Sequence, residues 1–309
     1  MALLGDTMRT LTLCAFLCTA LHAQALRVVA TTHDLADLAR EVAGTRIACE
    51  VLSFGDQDPH RVVAKPSTLL KLRKADALLL MGLDLEHSWL PPLLEGARNE
   101  ALTAGRPGHI DLSVGIEPLE VPAQVDRSRG TDLHARGNPH YNLDPEGGRH
   151  MARRIAECLG QLAPDHKADF AAGLRAFEAK LDAKVKDWEP EWRRLKGAKF
   201  VTRHGFFPYL SKSAGFDVIA DLENTPGLEP SPAHVAKVMQ LMREQKPAAL
   251  LVPSWKAGGL TATVAEGTGI PVLALPMGST GRGKDATWLD WMSHVISELA
   301  AAVPETREH

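Results

Sequence analysis

Five consecutive apolar residues, Ala77-Leu78-Leu79-Leu80-Met81, carry no polar side chain to face water. A strand of this kind is buried on both faces, which points to a parallel sheet covered by helices on each side. The stretches around it repeat the theme. Residues 26–30 and 47–52 read as strands, and 34–42 and 66–74 as amphipathic helices. The alternation resumes further on, with strands predicted at 200–202, 216–219, 248–252 and 272–275 and helices at 231–245 and 288–302. Ser231 stands where the first of those two helices needs an N-cap. The pattern is that of α/β layers.

Two such halves fit a chain of 309 residues. Between them Pro145 opens a helix carrying Met151, Ile155 and Leu159. From Pro164 to about Leu195 the sequence reads as one long helix, with Phe170, Leu174, Phe177 and Leu181 at helical spacing. At about 1.5 Å per residue it would extend on the order of 40 Å. The expected organisation is a first lobe over 26–163, a bridging helix over 164–196 and a second lobe over 197–309. Trp188, Trp192, Trp288 and Trp291 fall at helical spacings and read as packing residues.

Residues 1–25 read as a cleavable signal peptide. Arg9 supplies the positive end, residues 11–21 the apolar run, and Ala23-Gln24-Ala25 the cleavage site. Cys14 and Cys18 follow Leu13 and Leu17 rather than the small residue of a lipid-attachment site, so a soluble exported protein is expected. Cys49 and Cys158 remain and read as two buried thiols, although an oxidising compartment would permit a disulfide. The net charge of -3 gives no basic field for nucleic acid, and aromatics at 5% offer little base-stacking surface.

Three of the thirteen histidines stand apart. His60 and His140 sit in the near-repeats Asp58-Pro59-His60 and Asn138-Pro139-His140, and His204 follows Lys199-Phe200-Val201-Thr202-Arg203. Each falls where a strand gives way to a loop, the end of an α/β sheet at which ligands bind. Proline stiffens two of these loops. Three neutral imidazoles converging from separate loops would suit Zn²⁺ better than oxygen-seeking cations such as Mn²⁺. A G-x-x-x-x-G-K match at residues 278–284 is followed by Asp285 instead of the Ser or Thr that a phosphate loop uses for Mg²⁺. It reads as an exposed, flexible loop.

Taken in order, these segments resemble the zinc/manganese receptors of bacterial ABC importers. Asp58-Pro59-His60 with Pro66-Ser67 is similar to that family's first metal-binding segment. Met81-Gly82-Leu83-Asp84-Leu85-Glu86 with Trp89-Leu90 resembles its N-G-L-x-L-E-x-W-L stretch. The run from Asn138 through Asp144-Pro145 resembles its D-P-H-x-W-L-D-P segment, and His204 through Tyr209-Leu210 its H-x-x-x-x-Y-[LF] segment. The resemblance implies two pseudo-symmetric lobes with mainly parallel sheets joined by one long rigid helix. It also implies metal held between the lobes at His60, His140 and His204, and a periplasmic, monomeric receptor that docks on an ABC permease, with a periplasmic metallochaperone as a further candidate partner.

The family usually adds a carboxylate from a D-P-x-G segment near the last strand, and here that segment reads Leu275-Pro276-Met277-Gly278. Pro253-Ser254-Trp255 stands where E-P-Q is often found. The fourth ligand is therefore left to water, Glu223 or Asp285. His134 reads as a solvated loop histidine able at most to pass metal inward. Asp144 and Glu86 are candidates for orienting the histidine rings, with purely structural roles open for both. A zinc hydrolase is the alternative, since three histidines and a water also make a catalytic site, but it would need a general base beside that water. A metal-binding adhesin or buffer on the same fold is a further alternative.

Overall fold

The computed structural model describes residues 25–63, 65–124 and 132–304. The expected signal peptide lies outside the described residues except for Ala25. The first lobe runs β1 (Leu26–Thr32), α1 (His33–Ala43), β2 (Ile47–Ser53), α2 (Pro66–Lys74), β3 (Ala77–Leu80), α3 (Leu90–Ala97) and β4 (His109–Asp111). Three helices follow, α4 (Pro145–Leu162), α5 (Lys167–Asp187) and α6 (Glu189–Leu195). The second lobe comprises β5 (Lys199–Thr202), α7 (Pro208–Ala214), β6 (Asp217–Asp221), α8 (Pro232–Gln245), β7 (Ala249–Pro253), α9 (Leu260–Thr268), β8 (Val272–Leu275) and α10 (Trp288–Ala302).

Each lobe holds a four-stranded sheet of parallel pairs, ordered β2-β1-β3-β4 in the first and β6-β5-β7-β8 in the second. Both orders reverse direction beside the lobe's first strand, so the lobes are topological copies. Such a reversal leaves a crevice at the carboxyl ends of the strands. As the apolar run requires, β3 is buried at every position. Its alternate residues face two different cores. Ala77 and Leu79 join a large cluster shared by both lobes, and Leu78 and Leu80 pack with Leu72, Trp89, Leu90 and Leu93.

The shared cluster sets how the lobes sit. Phe170, Phe177 and Leu181 of α5 bring it against Val28 and Leu79 of the first lobe, and Phe200 and Leu251 of the second belong to the same cluster. Trp288 and Trp291 are fully buried, and Trp288 Nε1 reaches back to the Asn142 carbonyl at 3.0 Å. The tryptophans are packing residues as expected. The long helix is present as α5, 21 residues or about 30 Å. The stretch beyond it is a separate helix. Trp188 ends α5 and begins α6, where Pro190 has no amide proton to continue the ladder.

Ser231 caps α8 by accepting the His234 amide at 3.3 Å. Cys49 and Cys158 are both free thiols. Burial pushes Cys49 up to about 12, which keeps it protonated and unreactive.

Candidate metal site

Three loops at the carboxyl ends of the strands deliver His60, His140 and His204. Each offers one ligand atom, and these atoms all lie within 4.8 Å of one another. All three rings are buried. The sequence names these residues, and the fold brings them together across the lobes.

The His60 loop is held by the stretch that follows β3. Ser88 Oγ donates to the His60 carbonyl at 2.8 Å, and Trp89 Nε1 to the Pro59 carbonyl at 3.0 Å. The ring is fixed by its own segment, because His60 Nδ1 meets Asp58 Oδ1 at 3.0 Å. Burial opposes ionisation of Asp58, yet its bonds to His60 hold the carboxyl below its usual range. It is therefore an acceptor, and Nδ1 carries the proton. Nε2 is left with its lone pair.

His204 follows the same logic from the second lobe. Its Nδ1 meets Glu223 Oε2 at 2.9 Å, and Lys256 Nζ binds the other oxygen of that carboxylate. Against the cost of burial, His204 and Lys256 pull Glu223 down to about 2. Glu223 thus orients His204 from behind instead of supplying an oxygen to the three-histidine set. His140 stands on a turn in which Asn138 Oδ1 accepts its amide at 2.9 Å. Its Nε2 is buried without any hydrogen-bond partner, the condition of a nitrogen reserved for a cation. Burial first, then His60 and His204, drive His140 well below the ordinary imidazole range, so the ring is neutral and ready to ligate.

Phe206 closes one side of the site, its ring centroid 4.3 Å from His140 and 4.5 Å from His204. On another side opens a cleft of about 540 Å³, lined in part by Glu120, His134, Asp221 and Pro226. Burial pushes Asp221 up to about 7, and it is not among the mutually close groups.

Several expectations are corrected. Asp285 does not reach the histidines, because its Oδ1 pairs with His294 Nδ1 of α10 at 2.6 Å. His134 is partly buried, and its Nε2 lies 3.2 Å from His60 Nε2, so it is no solvated loop histidine. Asp144 caps α4 through the Gly147 amide at 3.0 Å and binds Ser213. Glu86 takes the Thr31 hydroxyl at 2.7 Å and the Met81 amide at 2.8 Å. Both are structural. The loop expected to be exposed at 278–284 is pinned at its start. Ser279 is fully buried, and its amide donates to Asp34 Oδ1 at 2.6 Å.

The chain matches the family model described as zinc-uptake complex component A, periplasmic, over residues 28–302. It is 27% identical to the manganese ABC transporter substrate-binding lipoprotein PsaA of Streptococcus mitis over 256 residues, covering 81% of this chain and 79% of that protein. It is also 27% identical to the iron ABC transporter substrate-binding lipoprotein MtsA of Streptococcus pyogenes serotype M1 over 252 residues, covering 80% of this chain and 78% of that protein. The crystal structure of a zinc-bound ZnuA lacking residues 138–173 superposes with a TM-score of 0.75 at 24% identity, covering 92% of this chain and all of that one. With the fold and the histidine cluster, these matches make the protein a solute-binding receptor and not an enzyme: the chain belongs to the family of periplasmic zinc-uptake components, the substrate-binding subunits of metal ABC transporters, whose partner is a membrane permease.

Proposed function

We propose that the protein captures Zn²⁺ at His60, His140 and His204 in the cleft between the lobes and delivers it to its permease. The observation that carries this reading is the donor set. Three buried imidazoles lie within 4.8 Å of one another, and among the described residues no carboxylate joins them. Relatives are named for manganese and iron. Mn²⁺ prefers oxygen ligands and higher coordination, whereas a nitrogen-only set favours Zn²⁺. In this reading residues 1–25 are removed on export, and the mature protein works in the periplasm as a monomer, loaded directly or by a metallochaperone.

Calorimetric titration of residues 26–309 with Zn²⁺ and Mn²⁺ tests the proposal, beside His60→Ala, His140→Ala and His204→Ala. One Zn²⁺ per chain is expected, bound far more tightly than Mn²⁺ and weakened by every substitution. Preference for Mn²⁺, or zinc binding indifferent to all three substitutions, would overturn it.

A further inference from the structure

We propose that His134 is a fourth metal ligand, so that the cargo is held by four imidazoles from four points of the chain; this rests on the three-histidine reading above. The starting observation is the contact between His134 Nε2 and His60 Nε2 at 3.2 Å. A hydrogen bond there would need a proton on one of the two nitrogens. In each ring the nitrogen that faces an acceptor is the other one. The His60 proton sits on Nδ1, where Asp58 accepts it. The His134 proton also sits on Nδ1, which faces the Asp84 carbonyl at 3.2 Å, and a carbonyl can only accept.

Two lone pairs therefore face one another across 3.2 Å. That arrangement is repulsive unless a cation lies between them. Two nitrogens bound tetrahedrally to one Zn²⁺ at about 2.0–2.1 Å stand roughly 3.3–3.4 Å apart, close to the spacing seen. Metal-binding histidines also share a signature in which the second ring nitrogen donates to a carboxylate or carbonyl. His60 has Asp58, His204 has Glu223, and His134 has the Asp84 carbonyl.

The loop is built to hold His134 in this place. Asp84 is its anchor, accepting the Ala135 amide at Oδ2 at 3.0 Å and Arg136 Nε at Oδ1 at 3.3 Å. To do so the backbone enters the left-handed region at Leu83 (φ 48) and Asp84 (φ 66), which side chains other than glycine seldom adopt. The His134 carbonyl is tied as well, since the Gly137 amide closes a turn onto it at 3.2 Å. His134 lies outside the mutually close set of three, with ring centroids 5.2 Å from His60 and 6.3 Å from His140. Its ring completes the site by turning inward about the bond to Asp84. It would then supply the fourth ligand that the segment Leu275-Pro276-Met277-Gly278, which has no carboxylate, does not offer.

X-ray absorption at the zinc edge of residues 26–309, loaded with one Zn²⁺, counts the imidazoles. Co²⁺ absorption of the same protein reports coordination number. The parent should show four imidazoles and a tetrahedral Co²⁺ spectrum. His134→Ala, and His134→Phe to keep the ring's bulk, should show three imidazoles and one oxygen, with zinc affinity lowered more than tenfold. A parent with three imidazoles and an oxygen, unchanged in either variant while His60→Ala loses zinc, would overturn the role of His134 and leave the three-histidine site standing. A parent that takes up no zinc would overturn both.

Discussion

Asn138 Nδ2 donates to the Gly205 carbonyl at 2.6 Å, tying the loop of His140 to the loop of His204 across the lobes. The same amide reaches Glu120 Oε2 at 2.8 Å, and its oxygen holds the His140 amide. Tyr209 of α7 adds a bond to the Asn138 carbonyl at 2.8 Å. One short side chain therefore links the loops that carry His140 and His204.

Asn138→Ala should leave these buried groups unpaired, at a cost of about 1–3 kcal/mol. Zinc affinity is expected to fall by roughly tenfold or more, with the overall fold kept. Chelator competition checks the affinity, and circular dichroism the fold. Unchanged zinc binding would show that the loops hold their spacing without this residue.

Glu223→Gln tests the orientation of His204. Glutamine still offers an oxygen to Nδ1 but no charge, and Lys256 loses its ionic partner. Zinc binding should weaken by about 10- to 100-fold, the usual effect of removing a ligand's outer hydrogen-bond acceptor. If Glu223 were itself a ligand, the zinc-edge spectrum would lose an oxygen in this variant; the geometry predicts the imidazole count and shell to stay as they are.

Asp37 makes stability depend on pH. Burial pushes its carboxyl up from 3.8 to about 6, although the Trp288 amide opposes this by donating to Oδ2 at 2.7 Å. Between those values the folded protein holds a proton that the unfolded chain has lost, so this group's contribution to stability falls as pH rises through that window. Asp37→Asn should therefore stabilise the protein above pH 6, by up to roughly 3 kcal/mol, and have little effect near pH 4. Denaturant unfolding at pH 4.0 and 7.5 gives the comparison.

Gly55→Ala should strain the junction between lobes. A Cβ on Gly55 would stand 1.7 Å from the Gly278 carbonyl oxygen. Two backbone bonds flank this contact, Gly55 amide to Ser279 carbonyl at 2.9 Å and Met277 amide to Gly55 carbonyl at 2.8 Å. The substitution should destabilise by about 1–3 kcal/mol as the strands of chain part. Thermal unfolding measures it, and an unchanged midpoint would mean that the junction gives way freely.

The layered architecture was legible because buried strands such as β3 announce themselves by composition alone. The helices α3, α7 and α9 were not read, since seven to nine residues give barely two turns of periodicity. The break at Trp188 was marked in the sequence by Pro190 alone, because Trp188 and Trp192 carry the helical spacing across it. His60, His140 and His204 stood out through proline and the ends of strands. His134 carried no such mark. Its place depends on Asp84, some fifty residues earlier, and on a backbone conformation that no residue type at Leu83 or Asp84 advertises. Glu223 was noticed as a carboxylate near the site, but only its contact with His204 tells orientation from ligation.

The single core that joins the lobes also governs what the permease is able to sense. With Phe177, Trp188, Phe200 and Trp288 packed in one cluster, a wide opening of the lobes would have to expose that cluster to water. Empty and loaded receptors should therefore share nearly one outline, with indistinguishable solution scattering profiles. The message that cargo is aboard must then be written at the rim, in the posture of a few loop residues, and read by touch at close range.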